Sequence, residues 1–404
     1  MRPGTPGFYG GRLKEAREAR SVSQTALADL LGITRQAVSG YESGLQTPSP
    51  QIMRRISELL RVPPHYFLAP PASESSEAVF YRSMESATKA DRLRAERRYA
   101  WLRRIVQYLR GLVAFPEVNF PKLDLPSDPT HLTSQMVEEA ARETRRFWQL
   151  GDNPISNIVW LIENNGAVIS RHNLEADKLD AFSQWSLEDN APYFVFGADK
   201  GSGPRSRYDA GHELGHMILH RSVKQHDLGH KPIFKLIEQQ ANLFTGAFLL
   251  PESIFAGDLR HGVTLDALLA LKPKWKVSIQ FMIMRCETLG IISREQKTRM
   301  FINLNARGWR LKEPNDDLIP LESPRFLRRS IEMLVDKSFV DPMELPFFVG
   351  LDPSDVEELA GLPSGYLGGA AGQPRAPIGQ FVETPLAGAD RDISPKIIRF
   401  PRAE

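Results

Sequence analysis

Apolar residues recur at helical spacing from position 13 to position 60, with Ser and Thr where helices should begin and no proline between Leu13 and Pro48. This predicts a small all-helical domain over residues 1–70. Pro63-Pro64, Pro70-Pro71 and the polar run Ser73-Glu74-Ser75-Ser76 then break the period and mark a boundary. Residues 88–113 carry Leu102, Ile105, Val106, Leu109, Leu112 and Val113 on one face. That is the pattern of one long amphipathic helix with a solvated arginine face. It lies in a linker, residues 71–129, which closes with Pro116, Pro121, Pro126 and Pro129.

The helical period returns over residues 134–150 and 155–163, and Asn164-Asn165-Gly166 is a natural stop. Aromatic and β-branched residues cluster at Val168-Ile169 and over residues 193–196 between turn signals, which predicts two strands. Helices dominate residues 208–286, one of them over 232–249, and a domain of residues 130–300 results. Residues 301–367 read as a small helical region with helices at 324–335 and 353–360. The Gly-, Ala- and Pro-rich residues 368–404 read as a disordered tail. The fold class expected is mainly α with a small β-sheet (α+β).

Composition narrows the setting. The single cysteine, Cys286, excludes an internal disulfide and a Cys-type zinc finger, and fits a reducing cytoplasm. No stretch approaches the ~20 apolar residues that span a bilayer, and no secretory apolar run opens the chain, so no membrane partner is expected. Net charge is +2, but residues 1–110 hold 18 Lys and Arg against 10 Asp and Glu, so the front of the chain is basic and the body acidic. A polyanion such as double-stranded DNA suits that asymmetry.

The sharpest motif is His212-Glu213-Leu214-Gly215-His216. Four residues bring a helix back to nearly the same face, so both imidazoles can reach one ion. Glu213 is offset by about 100° and can approach a water at that ion without ligating it, as general base. Zinc needs a third protein ligand that leaves one position open. Glu238, 22 residues after His216 on the next predicted helix, is the best candidate. Asn242, one turn beyond it, is placed to fix a histidine tautomer through a hydrogen bond. His220 reads as a buried supporting residue, and His226 and His230 as solvated loop residues. Peptide hydrolysis is the reaction this constellation predicts.

The stretch from Arg207 to His220, then residues 238–244 and Leu249-Leu250-Pro251, resembles the ImmA/IrrE family of metallopeptidases. Weaker matches extend the resemblance over about residues 130–295. It implies a zincin-like α+β domain in which His212, His216 and Glu238 hold Zn2+ and Glu213 is the base. Where relatives carry Ala before the first histidine, this chain has Gly211.

Near the start, Ser23 can cap a helix through Leu27 and Leu30, Gly32 makes a turn, and Thr34 can cap a second helix through Val38 and Tyr41. Such a second helix enters the major groove. Thr34, Arg35, Gln36 and Ser39 are therefore the candidate DNA-contacting residues, with Gln24 toward phosphate. Leu13-Lys14, Ser23-Gln24, Gly32-Ile33-Thr34 and residues 41–44 resemble the XRE, or λ-repressor-like, five-helix domain across residues 10–68.

The combined expectation is a cytoplasmic, homodimeric regulator that binds operator DNA. Its peptidase domain cleaves a repressor-type protein, either a partner or the chain itself, in a stress, phage or mobile-element response. The alternatives are a transcription factor whose peptidase-like half senses a ligand or metal, and an antitoxin whose partner is a toxin.

Overall fold

The computed structural model describes residues 4–71, 79–81, 88–175, 180–198 and 202–368. Apart from Gly368, the tail expected over residues 368–404 lies outside the described residues. By its contacts the chain divides into two units, residues 1–71, 96–115 and 328–404 forming one and residues 72–95 and 116–327 the other.

The first unit opens with four helices, α1 (Gly10–Ala19), α2 (Gln24–Leu31), α3 (Arg35–Glu42) and α4 (Pro50–Leu60), followed by a 3-10 helix at Pro64–Leu68. Three begin at hydroxyl caps: Ser23, Thr34 and Ser49 accept the N–H groups of Ala26, Ala37 and Ile52. Gly32 ends α2 in the left-handed conformation at φ 67°, which costs glycine little and turns the chain into α3. Leu13, Leu27, Val38 and Ile56 are fully buried between the helices.

Helix α5 (Lys89–Arg110) contributes Trp101, Leu102, Ile105 and Leu109 to this core. The arginine face expected to be solvated is in fact partly buried. Arg98 and Arg103 are covered, and Arg98 meets the Glu358 carboxylate at 2.5 Å. Residues 328–368, expected as part of a region of their own, share this unit. Arg20 pairs with Asp355, and Arg104 Nε donates to the Val349 carbonyl at 3.0 Å. Ion pairs between residues 335 positions apart leave no periodic trace in a sequence.

The second unit surrounds a four-stranded sheet of β1 (Val79–Tyr81), β2 (Val168–His172), β3 (Ala181–Ser186) and β4 (Ala191–Gly197) in the order β1-β3-β4-β2. Strands β2 and β4 are parallel, whereas β3 is antiparallel to both β4 and β1. The predicted strands correspond to β2 and β4. Strand β3 was not predicted because five of its six residues are buried, which erases alternation, and β1 was missed because it is only three residues long.

Helices α6 (Ser134–Phe147), α7 (Ile158–Asn164), α8 (Gly203–Leu219) and α9 (Lys231–Leu249) pack with the sheet and one another, and helices at Glu252–Asp258, Leu265–Trp275, Ile279–Thr288 and Arg294–Ala306 follow. Among the described residues no helix is long and apolar enough to cross a membrane.

Candidate metal centre

Helix α8 is buried along almost its whole length, including the polar side chains of His212, Glu213 and His216. Such burial requires partners. The two histidines stand one turn apart and face α9, with their Nε2 atoms 3.1 Å from each other. Glu238 completes the group from α9: one carboxylate oxygen is 3.3 Å from His212 Nε2 and the other 3.2 Å from His216 Nε2. Among the described residues this trio is the one cluster of His, Cys, Asp or Glu close enough to share an ion.

The remaining ring nitrogens determine where the protons sit. Tyr208 O–H donates to Asn242 Oδ1, and the same oxygen lies 3.0 Å from His212 Nδ1. His212 Nδ1 is therefore the protonated nitrogen, and Nε2 presents its lone pair. On the other side Gln240 Nε2 donates to the carbonyls of Pro129 and Leu132, at 2.7 and 3.0 Å, which turns its Oε1 toward His220 Nε2 at 3.0 Å. Burial, reinforced by neighbouring His216, lowers the His220 pKa well below the ordinary histidine value, so this ring is neutral. With Nε2 donating to Gln240, His220 Nδ1 must accept from His216 Nδ1, 3.0 Å away. His216 Nε2 is then also a lone pair.

Two imidazole lone pairs and a carboxylate thus converge without a hydrogen between them. Two nitrogens with one oxygen are a suitable set for zinc with three protein ligands.

Glu213 is held from the sheet. Fully buried, it accepts the Ser183 hydroxyl from β3 at 2.5 Å. The Phe80 ring of β1 stacks on His216 at 4.8 Å between centroids and 11° between planes. Beside His212, Tyr208 and Asn242 line a cavity of about 740 Å3 whose wall also includes Phe281, Met284 and Arg310.

The sequence-derived residues His212, His216, Glu238, Glu213 and Asn242 therefore lie together. His226, exposed and 3.0 Å from Asp227, and the exposed His230 lie in the loop before α9. Ser183, Tyr208, Gln240 and Phe80 were not assigned roles from sequence. His220 had a signal in its spacing of four from His216, whereas Ser183 and Phe80 had none.

In the first unit, Arg35, Gln36 and Ser39 are exposed on α3. Thr34 is exposed as well, with its hydroxyl engaged as the cap of that helix. Gln24 is half-buried and donates to Glu42 at 2.7 Å, so its side chain is tied to α3.

Comparison with known proteins matches these two regions. Residues 13–67 fit a family described as helix-turn-helix, and residues 162–287 fit one described as IrrE N-terminal-like domain. An SPbeta prophage-derived uncharacterized HTH-type transcriptional regulator of Bacillus subtilis is 38% identical over 61 residues, 15% of this chain and 56% of that protein. A second uncharacterized HTH-type regulator of Bacillus subtilis is 38% identical over 73 residues, 18% of this chain and 60% of its own. One from Sinorhizobium fredii is 38% identical over 58 residues, 14% of this chain and 41% of its own. The chain thus spans about half the length of these curated relatives. The chain therefore joins a region similar to helix-turn-helix domains, residues 13–67, to one similar to the IrrE N-terminal-like domain, residues 162–287.

Proposed function

We propose that the chain is a DNA-binding transcriptional regulator whose second domain is a zinc metalloendopeptidase acting on a repressor-type protein, either a partner or the chain itself. Residues 1–70 are the DNA-binding part and residues 130–300 the peptidase part of this reading. One observation carries it: the lone pairs of His212 and His216 converge with Glu238 while a separate buried acid, Glu213, is held beside them.

Zinc, when bound by these three side chains, supplies Lewis acidity toward a scissile carbonyl and toward water. The protein's own groups do the rest. Glu213 takes the proton of the attacking water and hands it to the leaving amine, so that the amine departs neutral. Ser183 fixes one Glu213 oxygen and so orients the carboxylate through both transfers. Asn242 and His220 hold the two ligating rings in the tautomers the reaction needs. In the other domain the exposed Arg35, Gln36 and Ser39 enter the major groove, and a homodimer places two such helices on paired half-sites.

The test compares protein N-termini in cells producing the wild-type chain or Glu213→Gln. Specific new N-termini with the wild type alone are expected. Identical sets would remove proteolysis from the account.

A further inference from the structure

Tyr208 and Asn242, the pair that holds His212, also border the cavity of about 740 Å3. The Tyr208 ring stands between the metal centre and that space. Its centroid is 6.1 Å from that of His212 and 5.0 Å from that of Phe281, which it meets edge-on at 84°. A volume of this order holds a ligand larger than one side chain.

Part of the wall comes from beyond the matched domain. Arg310, Leu311, Glu313 and Asp316 follow residue 287, where the IrrE-like match ends. Fully buried Lys272 holds this segment in place, its ammonium 2.8 Å from Glu313 and 2.6 Å from Asp316. Glu313 also accepts the N–H groups of Ile279 and Gln280, at 2.6 and 3.0 Å, where the helix Ile279–Thr288 begins. Both carboxylates are therefore committed to holding the wall.

Pairing sorts the remaining charges of the lining. Arg205 meets Asp180 at 2.8 Å, and Arg285 meets Glu138. The guanidinium of Arg310 has no acceptor among the described residues. Beside it the lining is apolar, with Phe281 half-buried, Met284 44% exposed and Leu311 fully exposed. Apolar side chains left in water gain by being covered, and an unpaired guanidinium gains most from a carboxylate, which it can grip through two parallel hydrogen bonds.

We infer that this cavity receives a stretch of polypeptide that carries a bulky apolar side chain, seated against Phe281 and Met284, and close to it in sequence an acidic side chain paired with Arg310. That the stretch belongs to a peptidase substrate rests on the reading above. One ring separates Phe281 from His212, so at about 3.3 Å per extended residue the apolar side chain lies only a few residues from the scissile bond.

The test selects binders from a library of random short peptides with two full-length proteins, metal-free wild type and zinc-loaded Glu213→Gln. Both are expected to enrich peptides in which a large apolar residue lies near Asp or Glu. Arg310→Glu, a change at an exposed position, should turn the preference from acidic to basic neighbours while zinc stoichiometry stays the same. Met284→Asp should weaken the selected peptides by about tenfold, the size of loss expected when an apolar anchor loses its wall. Enrichment without charge bias, a bias that survives Arg310→Glu, or no enrichment at all overturns the inference. Biased binding without cleavage by the zinc-loaded wild type leaves the pocket standing and removes the peptidase reading; cleavage of peptides without the bias does the reverse.

Discussion

Gly211 lies so close to Thr245 that a Cβ at position 211 would stand 2.8 Å from the threonine Cγ2. One turn on, a Cβ at Gly215 would stand 3.2 Å from the Ala241 Cα. Two glycines cost α8 about 1 kcal/mol each relative to alanine. The return is a close approach of α8 and α9, which brings Glu238 within reach of both histidines. Thr245 cannot easily turn aside, because its hydroxyl donates to the Ala241 carbonyl at 2.7 Å. Gly211→Val is therefore expected to weaken zinc binding by about tenfold or more, the size of loss that disturbed supporting contacts produce. Competition with a chromogenic chelator measures this, alongside a retained helical spectrum.

The tautomers of the two ligand rings are set from opposite sides, by Asn242 for His212 and by Gln240 through His220 for His216. Gln240→Leu removes the acceptor that fixes His220. Asn242→Leu removes the acceptor of His212. Each is expected to lower zinc affinity by about 10- to 100-fold. The same chelator titration reads the loss, and nitrogen NMR of the imidazoles should show mixed tautomers in the metal-free variants.

Burial pushes the Cys286 thiol up to about 12 from an ordinary value of 9.0. The folded state therefore holds its proton more tightly than the unfolded state. The associated stability is complete below pH 9, then declines as pH rises toward 12. At pH 8.5 iodoacetamide should modify the native chain on the order of 1,000-fold more slowly than the urea-unfolded chain. Equal rates, followed by mass spectrometry, would show that the thiol is accessible.

On α3 the guanidinium of Arg35 is exposed, whereas the Thr34 hydroxyl is committed to its cap. Arg35→Ala should cost about 1–3 kcal/mol of operator affinity and relax preference at one base pair. Thr34→Ala should instead cost about 1 kcal/mol of stability through the lost cap. Binding titrations on an operator selected from random sequence, with thermal melts of both variants, separate the two roles.

What the sequence revealed followed the reach of its signals. The pair His212 and His216 repeats at four residues on a helix, and the caps at Ser23 and Thr34 act over three residues, so both were legible. Glu238 was reachable because it lies on the next helix. Ser183 and Phe80 meet the centre through cross-strand register, which depends on how distant segments pair rather than on local spacing. The buried Arg98 was misread for a related reason: its partner, Glu358, is 260 positions away, and an arginine without a visible partner reads as solvated.

The most direct measurement is metal stoichiometry by native mass spectrometry on the full-length chain and on Glu238→Ala. The account predicts one zinc per wild-type chain and its loss in Glu238→Ala with the fold intact. A wild-type chain without zinc, or a variant that retains it equally well, would contradict the convergence of His212, His216 and Glu238 on a metal ion.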